Sequence, residues 1–509
     1  MTDNQFDNQI NAARQAFAQG RPEEAFQVCR GLLAANPPLG EAWGAVSDIA
    51  LECHDFFGAF DARRRQLAAQ PRSLDAGNKT ASLAAECGRF ETAKHLAAQL
   101  SEQAPDNPVI HNTYGWILGA LGEFDASERE YRRATELKPG LGGAWYGLSR
   151  HGFLPADDQT LARMKAGVGE VEDDDPQARL HALGTLHFAI ADTHRRRGEA
   201  DDAFAWYMKG AEYCGPAAPP DAEKHFQKFR AMRDALNADR LLGKGEGHRT
   251  DRPIFVTGMP RTGTTLMQQI LTAHPDVTEG AEASHLHTAA LPIWPYNPER
   301  IDAYLAASAN QPGGPWARAG RAFMALSSER FGNTGRFVDK NLGNPTILGV
   351  ALAALPDAKF IWMRRKPGPT ALSNFTHFFS RGLWWTWRLE DIALQMRAYE
   401  AFLAHWQTLF PDRILVVDYE DLTEDPDGQI DRILDYCGLS RDPAVKNFHE
   451  QESAVATFSV AQVRQPIRAD KSESWRAFET HLKPFFDTYE TAGALFGESL
   501  DAPSRQNLI

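Results

Sequence analysis

The chain has 509 residues, 43% apolar and 24% charged, which excludes wholesale disorder and allows several domains. Its formal net charge is −13 and neither half is basic, so no broad nucleic-acid or anionic-membrane surface is expected. The five scattered cysteines show no metal-ligand spacing, no apolar run reaches membrane-span length, and MTDNQFDNQI lacks an export leader. We therefore predict a cytoplasmic protein without a membrane span or a metal.

The first 150 residues contain a 34-residue repeat. Two columns hold helix breakers and two hold small residues, which is what a pair of closely packed antiparallel helices needs. The columns are Pro37, Pro71, Pro105, Pro139; Gly20, His54, Gly88, Gly122; Ala25, Ala59, Ala93, Ser127; and Ser47, Ala81, Gly115, Ser149. The period resembles the tetratricopeptide repeat, which implies a solenoid over 1–150 that binds a peptide, acts as a spacer or forms a homodimer.

Residues 151–242 leave this period but keep a helical pattern, and 187–213 predict a helical hairpin that turns at Gly198. The glycine-rich segment 243–253 predicts the main domain boundary, with a second domain over 243–509. Beyond it, four short apolar runs alternate with helical patterns, at 254–258, 336–340, 359–363 and 413–419. This alternation predicts an α/β domain with a parallel sheet covered by helices on both faces.

The most specific motif is IFVTGMPRTGTTLMQQILTAH, at 254–274. A strand that ends at Gly258, a tight loop and a helix N-terminus together form a cradle of backbone N–H groups for an anion. The position of the Walker lysine holds Thr264, so the motif favours nucleotide binding over ATP hydrolysis. The predicted nucleotide-binding residues of this loop are Arg261, Thr262, Gly263, Thr264 and Thr265.

The PRTGTT segment resembles the 5′-phosphosulfate loop of sulfotransferases, which use 3′-phosphoadenosine 5′-phosphosulfate (PAPS). Five more segments follow in that family's order: HPDVTEGAE (274–282), FVDKN (337–341), RRKPGPTALSNF (364–375), YEDL (419–422) and SVAQVRQPI (459–467). The resemblance covers roughly residues 250–490 and is strongest to tyrosylprotein sulfotransferases and to bacterial proteins that join tetratricopeptide repeats to a sulfotransferase domain. It implies an all-α solenoid followed by a P-loop-like α/β domain.

The resemblance implies that Glu282, 21 residues after Arg261, is the general base that takes the acceptor's proton. A carboxylate is a weak base for a phenol, so we expect Glu282 to be partly desolvated. Glu279 is a rival by proximity alone. His285 and His287 are alternatives, because cytosolic sulfotransferases use a histidine.

Two further catalytic residues are implied by the family's pattern. Lys340, at the end of RFVDK, neutralises the leaving phosphate, and Ser459 donates to the sulfuryl oxygens. Tyr419, together with Arg468 or Lys471, is expected to touch the nucleotide.

The family holds the 3′-phosphate of the donor with an arginine and a serine, which correspond here to Arg365 and Ser373. The sequence departs from the family around them, since Lys366 stands in place of an acidic residue and Gly368 in place of a second arginine. We expect the pocket to survive on Arg365 and Ser373, with Lys366 or Arg364 as a substitute.

The acceptor is less well defined, and resemblance favours a tyrosine hydroxyl of a peptide or protein over a glycan or small phenol. Ser284 and Thr288 occupy positions where eukaryotic enzymes carry arginines for acidic peptides, so no acidic preference is expected. The aromatic segment 375–387 is interpreted as core packing, with an acceptor wall or lid as the alternative.

Two other function classes are considered. In a P-loop kinase, Asp418 would hold Mg²⁺, and a non-catalytic scaffold would keep only a degenerate transferase domain. Because every candidate lies beyond residue 250, the sequence predicts that a protein beginning near Gly243 still binds PAPS.

Overall fold

The computed structural model describes residues 3–215, 222–379, 382–450 and 474–496. An all-helical N-terminal region is followed by a domain built on a five-stranded parallel sheet, so the predicted fold class is confirmed. None of the helices within these ranges is both long and apolar enough to cross a membrane.

The N-terminal repeats form antiparallel helical hairpins. The turn column adopts left-handed φ values between 60° and 82°, which glycine tolerates without strain, and His54 is the one member that is not glycine. The alanines of the small-residue columns are fully buried where the helices meet. The helices are α1 (Asp3–Ala18), α2 (Pro22–Ala35), α3 (Trp43–Glu52), α4 (Phe56–Ala69), α5 (Leu74–Glu86), α6 (Phe90–Gln103), α7 (Pro108–Leu121) and α8 (Phe124–Leu137).

Further helices lead from the repeats to the sheet. They are α9 (Gly142–Arg150), α10 (Asp158–Val168), α11 (Pro176–Arg196), α12 (Ala200–Cys214), α13 (Ala222–Ala235) and α14 (Ala238–Leu241). Helices α11 and α12 form the predicted hairpin, which turns at Gly198 with φ of 77°.

The sheet has the strand order β2-β3-β1-β4-β5. Its strands are β1 (Pro253–Gly258), β2 (Val277–Ala281), β3 (Arg336–Lys340), β4 (Lys359–Arg364) and β5 (Ile414–Asp418), all paired in parallel. Four strands match the apolar runs in the sequence. The fifth, β2, is an edge strand that the sequence pattern did not predict.

Helices connect and cover these strands. They are α15 (Thr264–Thr272), α16 (His285–Ala289), α17 (Pro298–Ala307), α18 (Pro315–Phe331), α19 (Leu348–Ala354), α20 (Pro367–Phe375), α21 (Leu389–Leu409), α22 (Tyr419–Glu424), α23 (Pro426–Cys437), α24 (Pro443–Lys446) and α25 (Lys483–Thr491).

One hydrophobic core joins the helices before residue 243 to the sheet domain. Phe188 and Tyr207 of α11 and α12 are fully buried in the same cluster as Phe375, Phe378 and Trp387. The aromatic segment 375–387 therefore contributes largely to packing, as the core interpretation predicted. The proposed boundary at residue 243 marks a change of secondary structure, and packing continues across it.

Candidate active site

The predicted site residues follow the carboxyl ends of the five strands. Across the sheet, Glu282 follows β2, Lys340 ends β3, the glycine loop follows β1, Arg365 follows β4 and Tyr419 follows β5. The carboxyl ends of parallel strands meet at one edge, where ligands of open α/β sheets bind. The fold thus gathers residues that are distant in the sequence into one row.

The glycine loop is shaped by backbone geometry. Gly258 has φ of 142°, and a Cβ atom there would lie 2.4 Å from the carbonyl oxygen of Met363 on the neighbouring strand. Gly263 caps α15 with φ of 95°. Thr264 and Thr265 are buried in the first turn of this helix, whose first N–H groups have no acceptor within the helix itself.

The predicted second anion site converges on the same loop. Arg261 Nε donates to Ser373 Oγ at 3.0 Å, and Arg365 Nη1 donates to the carbonyl oxygen of Arg261 at 3.2 Å. The Arg365 guanidinium lies 4.6 Å from the ring centre of Tyr419, which holds it in place. Arg261, Arg365 and Ser373 therefore form one cationic group beside the glycine loop.

The structure also shows the surroundings of two positions around the departures from the family pattern. Arg364 forms two 2.8 Å hydrogen bonds with the carboxylate of Asp418, so it is engaged away from Ser373. A Cβ atom on Gly368 would lie 3.0 Å from the indole of Trp475. The position of the expected second arginine is therefore filled by an aromatic ring.

The candidate base and the candidate lysine contact each other directly. Lys340 is buried, and its Nζ donates to a carboxylate oxygen of Glu282. The Glu282 side chain is 46% exposed, so about half of its surface is covered. Asn341 Nδ2 donates to the carbonyl oxygen of Ala283 at 3.0 Å and so ties the base loop to the end of β3.

The alternative bases are less favourable. The pKa of both His285 and His287 is lowered to about 3, mainly by burial, with smaller contributions from Arg330 and Arg30 for His285 and from His54 for His287. A histidine with such a pKa is a weak proton acceptor. Glu279 lies within β2, and its side chain is outside the described atoms.

Three predicted residues lie outside the described part of the chain. They are Ser459, Arg468 and Lys471, all within 451–473. Their proposed contacts with the donor stay predictions.

Two further contacts around helix α20 carried no clear sequence signal. Asn374 Nδ2 donates to the carbonyl oxygen of Pro260 at 2.9 Å and fixes α20 against the glycine loop. Arg150, from helix α9, reaches His377 just after α20, with Nη2 at 2.5 Å from Nε2. Asn374 lies in the same motif as Ser373, whereas nothing in the sequence connects Arg150 with α20.

A narrow cleft beside Glu282 separates the α/β domain from the repeats. Its walls include Arg30, His54 and Phe57 of the repeats and Glu282 and His285 of the α/β domain. The cleft holds about 20 Å³, little more than one water molecule. A neighbouring cavity of about 300 Å³ shares two of its lining residues, Thr288 and Leu326.

Comparisons with known proteins give a family match within the α/β domain. Residues 253–443 match the model of the Sulfotransferase family. An uncharacterised protein of Aquifex aeolicus (strain VF5) is 29% identical over 78% of this chain, but the alignment spans only 52% of that protein. A Caenorhabditis briggsae protein with the provisional name protein-tyrosine sulfotransferase is 27% identical over 44% of this chain and 80% of its own length.

Solved structures with resembling folds include the sulfotransferase domain of the Synechococcus PCC 7002 olefin synthase. It is 22% identical, covers 50% of this chain and 97% of its own, and has a TM-score of 0.35. The sulfotransferase domain from the curacin biosynthetic pathway is 16% identical, covers 46% and 98%, and has a TM-score of 0.27. The family match over 253–443 shows that this chain carries a sulfotransferase-family domain behind an all-helical region.

Proposed function

We propose that the protein is a PAPS-dependent sulfotransferase that acts on a tyrosine hydroxyl of a peptide or protein. The acceptor oxygen forms a bond to sulfur while the bond from sulfur to the 5′-phosphate oxygen breaks. The acceptor's proton passes to the Glu282 carboxylate, and adenosine 3′,5′-bisphosphate leaves with the negative charge. Lys340 and Ser459 are assigned to stabilising that charge and the sulfuryl oxygens.

The row of residues at the strand ends is the observation that carries this proposal. Glu282 and Lys340 lie on one side of the glycine loop, and Arg365 and Ser373 lie on the other. A donor with phosphates on both the 5′ and 3′ positions would span the loop and the Arg365 side. Its sulfuryl group would then point toward Lys340 and Glu282.

The cleft between the repeats and the α/β domain is the proposed acceptor entrance, because Glu282 lines it. A tyrosine ring is larger than the space in the cleft, so we expect the cleft to widen on binding. The provisional name of the Caenorhabditis briggsae relative supports a tyrosine acceptor. A glycan or small phenol is the alternative.

Charge in the cleft argues against a preference for acidic peptides. Its walls carry Arg30 and Arg330 together with four carboxylates, Asp55, Glu86, Glu282 and Glu329. Arg30 is already ion-paired with Asp55 at 2.6 Å and with Glu329 at 3.0 Å. Little positive charge is left for an acidic substrate.

A P-loop kinase is less well supported. The lysine that would contact a γ-phosphate is replaced by Thr264, and the candidate magnesium ligand, Asp418, is paired with Arg364 through both carboxylate oxygens. A scaffold without activity would not need the paired Glu282 and Lys340.

Ligand-induced thermal stabilisation tests the donor assignment. Adenosine 3′,5′-bisphosphate should raise the melting temperature more than ATP at equal concentration, and EDTA should not weaken the effect, because binding stabilises the native state by linkage. Equal shifts from both ligands would contradict a site for two phosphates. Transfer of radioactive sulfate from PAPS in a cell extract then shows whether protein, glycan or small molecules accept it.

A further inference from the structure

Positive charge is concentrated where helix α20 meets the glycine loop. Arg261 and Arg365 come from the α/β domain, whereas Arg150 and Arg195 come from α9 and α11 of the helical region. Arg195 Nη1 donates to Thr376 Oγ1 at 3.3 Å, immediately after α20. Two parts of the chain that differ in fold thus supply guanidinium groups to one place.

A short chain of hydrogen bonds connects Arg150 with the predicted 3′-phosphate residues. Arg150 Nη2 lies 2.5 Å from His377 Nε2, and His377 Nδ1 lies 2.7 Å from the carbonyl oxygen of Ser373. The hydroxyl of Ser373 in turn accepts from Arg261 Nε at 3.0 Å. Burial and the nearby arginines depress the pKa of His377 well below its usual value, so its ring is neutral, donates from Nδ1 and accepts at Nε2.

The positive charge of this group exceeds the negative charge facing it. Among the described residues, Arg150 is paired with Asp192 at 3.8 Å, which also accepts from Ser149 Oγ at 2.8 Å and from Tyr207, and the carboxylate that acts on Arg365 is that of Glu420. Burial, and then the charges of Arg150 and Arg365, depress the pKa of Arg261 to about 9. It is unfavourable to keep these guanidinium groups charged while they are buried close together. A bound anion would stabilise their charged forms.

Unused donors point the same way. The buried Nε atoms of Arg150 and Arg365 have no hydrogen-bond partner among the described residues. Since buried donors are nearly always paired, two such atoms on one cationic group indicate a missing acceptor. A phosphate group, with several acceptor oxygens and two charges, has this chemistry.

We propose that Arg150 of the helical region completes the 3′-phosphate site of the donor, beside Arg365, Ser373 and Arg261. This assignment rests on the proposed function and answers what replaces the arginine that the family carries at Gly368, where the Trp475 ring now lies. The helical region is therefore part of the donor site.

The test compares two nucleotides that differ only in the 3′-phosphate. Calorimetry on the full chain measures Kd for adenosine 3′,5′-bisphosphate and for adenosine 5′-monophosphate. Arg150→Ala should raise the Kd for the bisphosphate by about ten- to a hundredfold, which is the usual effect of losing a charged hydrogen bond. It should leave the Kd for the monophosphate nearly unchanged. The matched control is Arg163→Ala, an exposed arginine of the adjacent helix α10, which should alter neither.

Three outcomes separate the explanations. If the wild type binds both nucleotides equally, the proposed donor itself is wrong. If the wild type prefers the bisphosphate and Arg150→Ala keeps that preference, whether or not both affinities fall, the assignment of Arg150 is overturned. Should Arg150→Ala fail to fold, Arg150→Gln removes the charge while keeping a donor, and the same loss of preference is expected.

Discussion

At the scale of single residues, the sequence could predict which side chains converge only where those residues end or follow a strand. Lys340, Arg365 and Tyr419 each end or follow a strand, so their convergence followed from the parallel sheet alone. Arg150 ends helix α9 of the helical region and reaches the same place only through tertiary packing. Its role could not be predicted because no local pattern encodes a contact between α9 and α20.

Replacing the candidate base tests the chemical assignment. Glu282→Gln keeps the shape and a contact for Lys340 but removes the proton acceptor, so kcat should fall about 10²–10⁴-fold with little change in bisphosphate affinity. Glu299→Gln, at an exposed glutamate of α17, is the matched control. Steady-state kinetics would exclude Glu282 as base if its variant kept a kcat near the wild-type value.

A buried carboxyl next to Lys340 in the sequence should make stability depend on pH. Burial raises the pKa of Asp339 from 3.8 to about 7, although a hydrogen bond from Asn344 opposes the shift. Between these values the unfolded chain loses the proton and the folded chain keeps it, so the free energy of unfolding falls as pH rises. Asp339→Asn should remove this decrease in the free energy of unfolding, which amounts to roughly 2–4 kcal/mol.

Urea unfolding at pH 5 and pH 8 measures the effect. The stability of Asp339→Asn relative to the wild type should increase from pH 5 to pH 8. Asp106→Asn serves as control, since this side chain is 81% exposed and should give no such difference. A relative stability of Asp339→Asn that stays constant would contradict the assignment.

At the scale of elements, strands with a continuous apolar run were predictable and the edge strand was not. Strand β1 is buried at all six positions, whereas β2 reads VTEGA and pairs on one side only, with a register shift between Val277 and Glu279. A strand that buries little apolar surface has only a weak apolar pattern in its sequence. Glu282 directly follows β2, so the sequence located this candidate base by its motif and not by its strand.

The turn from β1 into the glycine loop depends on Gly258. Alanine there would meet the Met363 carbonyl at 2.4 Å in a positive-φ conformation, so Gly258→Ala should cost about 2 kcal/mol or more and weaken bisphosphate binding. Gly31→Ala is the control, because its Cβ meets nothing within 4 Å in helix α2 and should stabilise by up to about 1 kcal/mol. Chemical denaturation measures the free energy of unfolding of both variants, and equal values for Gly258→Ala and Gly31→Ala would contradict the steric argument.

At the scale of the whole molecule, the helical region borders the row of site residues on both sides of the glycine loop. The repeats line the cleft at Glu282, and α9, α11 and α12 contact α20 or the residues just after it, on the other side of the glycine loop. The sequence predicted two separable parts, because helical patterns alone precede residue 243 and apolar strand patterns alternate with helical ones after it. Secondary structure does change there, but Phe188 and Tyr207 share a core with Phe375 and Phe378, which no periodicity could reveal.

Two truncated proteins decide whether the helical region is a separable module. The structure argues against the expectation that a protein beginning at Gly243 keeps donor binding, because this cut uncovers Phe375 and Phe378 and removes Arg150. We expect it to aggregate, or, where soluble, to bind adenosine 3′,5′-bisphosphate no better than Arg150→Ala does. A protein beginning at Gly140 retains α9–α14 and should bind the bisphosphate like the full chain.

The second truncation also isolates the role of the repeats, because it removes Arg30, His54 and Phe57 from the cleft. Its kcat/KM for the polypeptide acceptor should fall mainly through a higher KM, while the rate on a small phenol changes less. Equal losses on both acceptors would mean that the repeats support the fold around Glu282 without selecting the substrate. Full donor affinity in the protein that begins at Gly243 would instead show that Arg150 and the shared core are dispensable for the nucleotide.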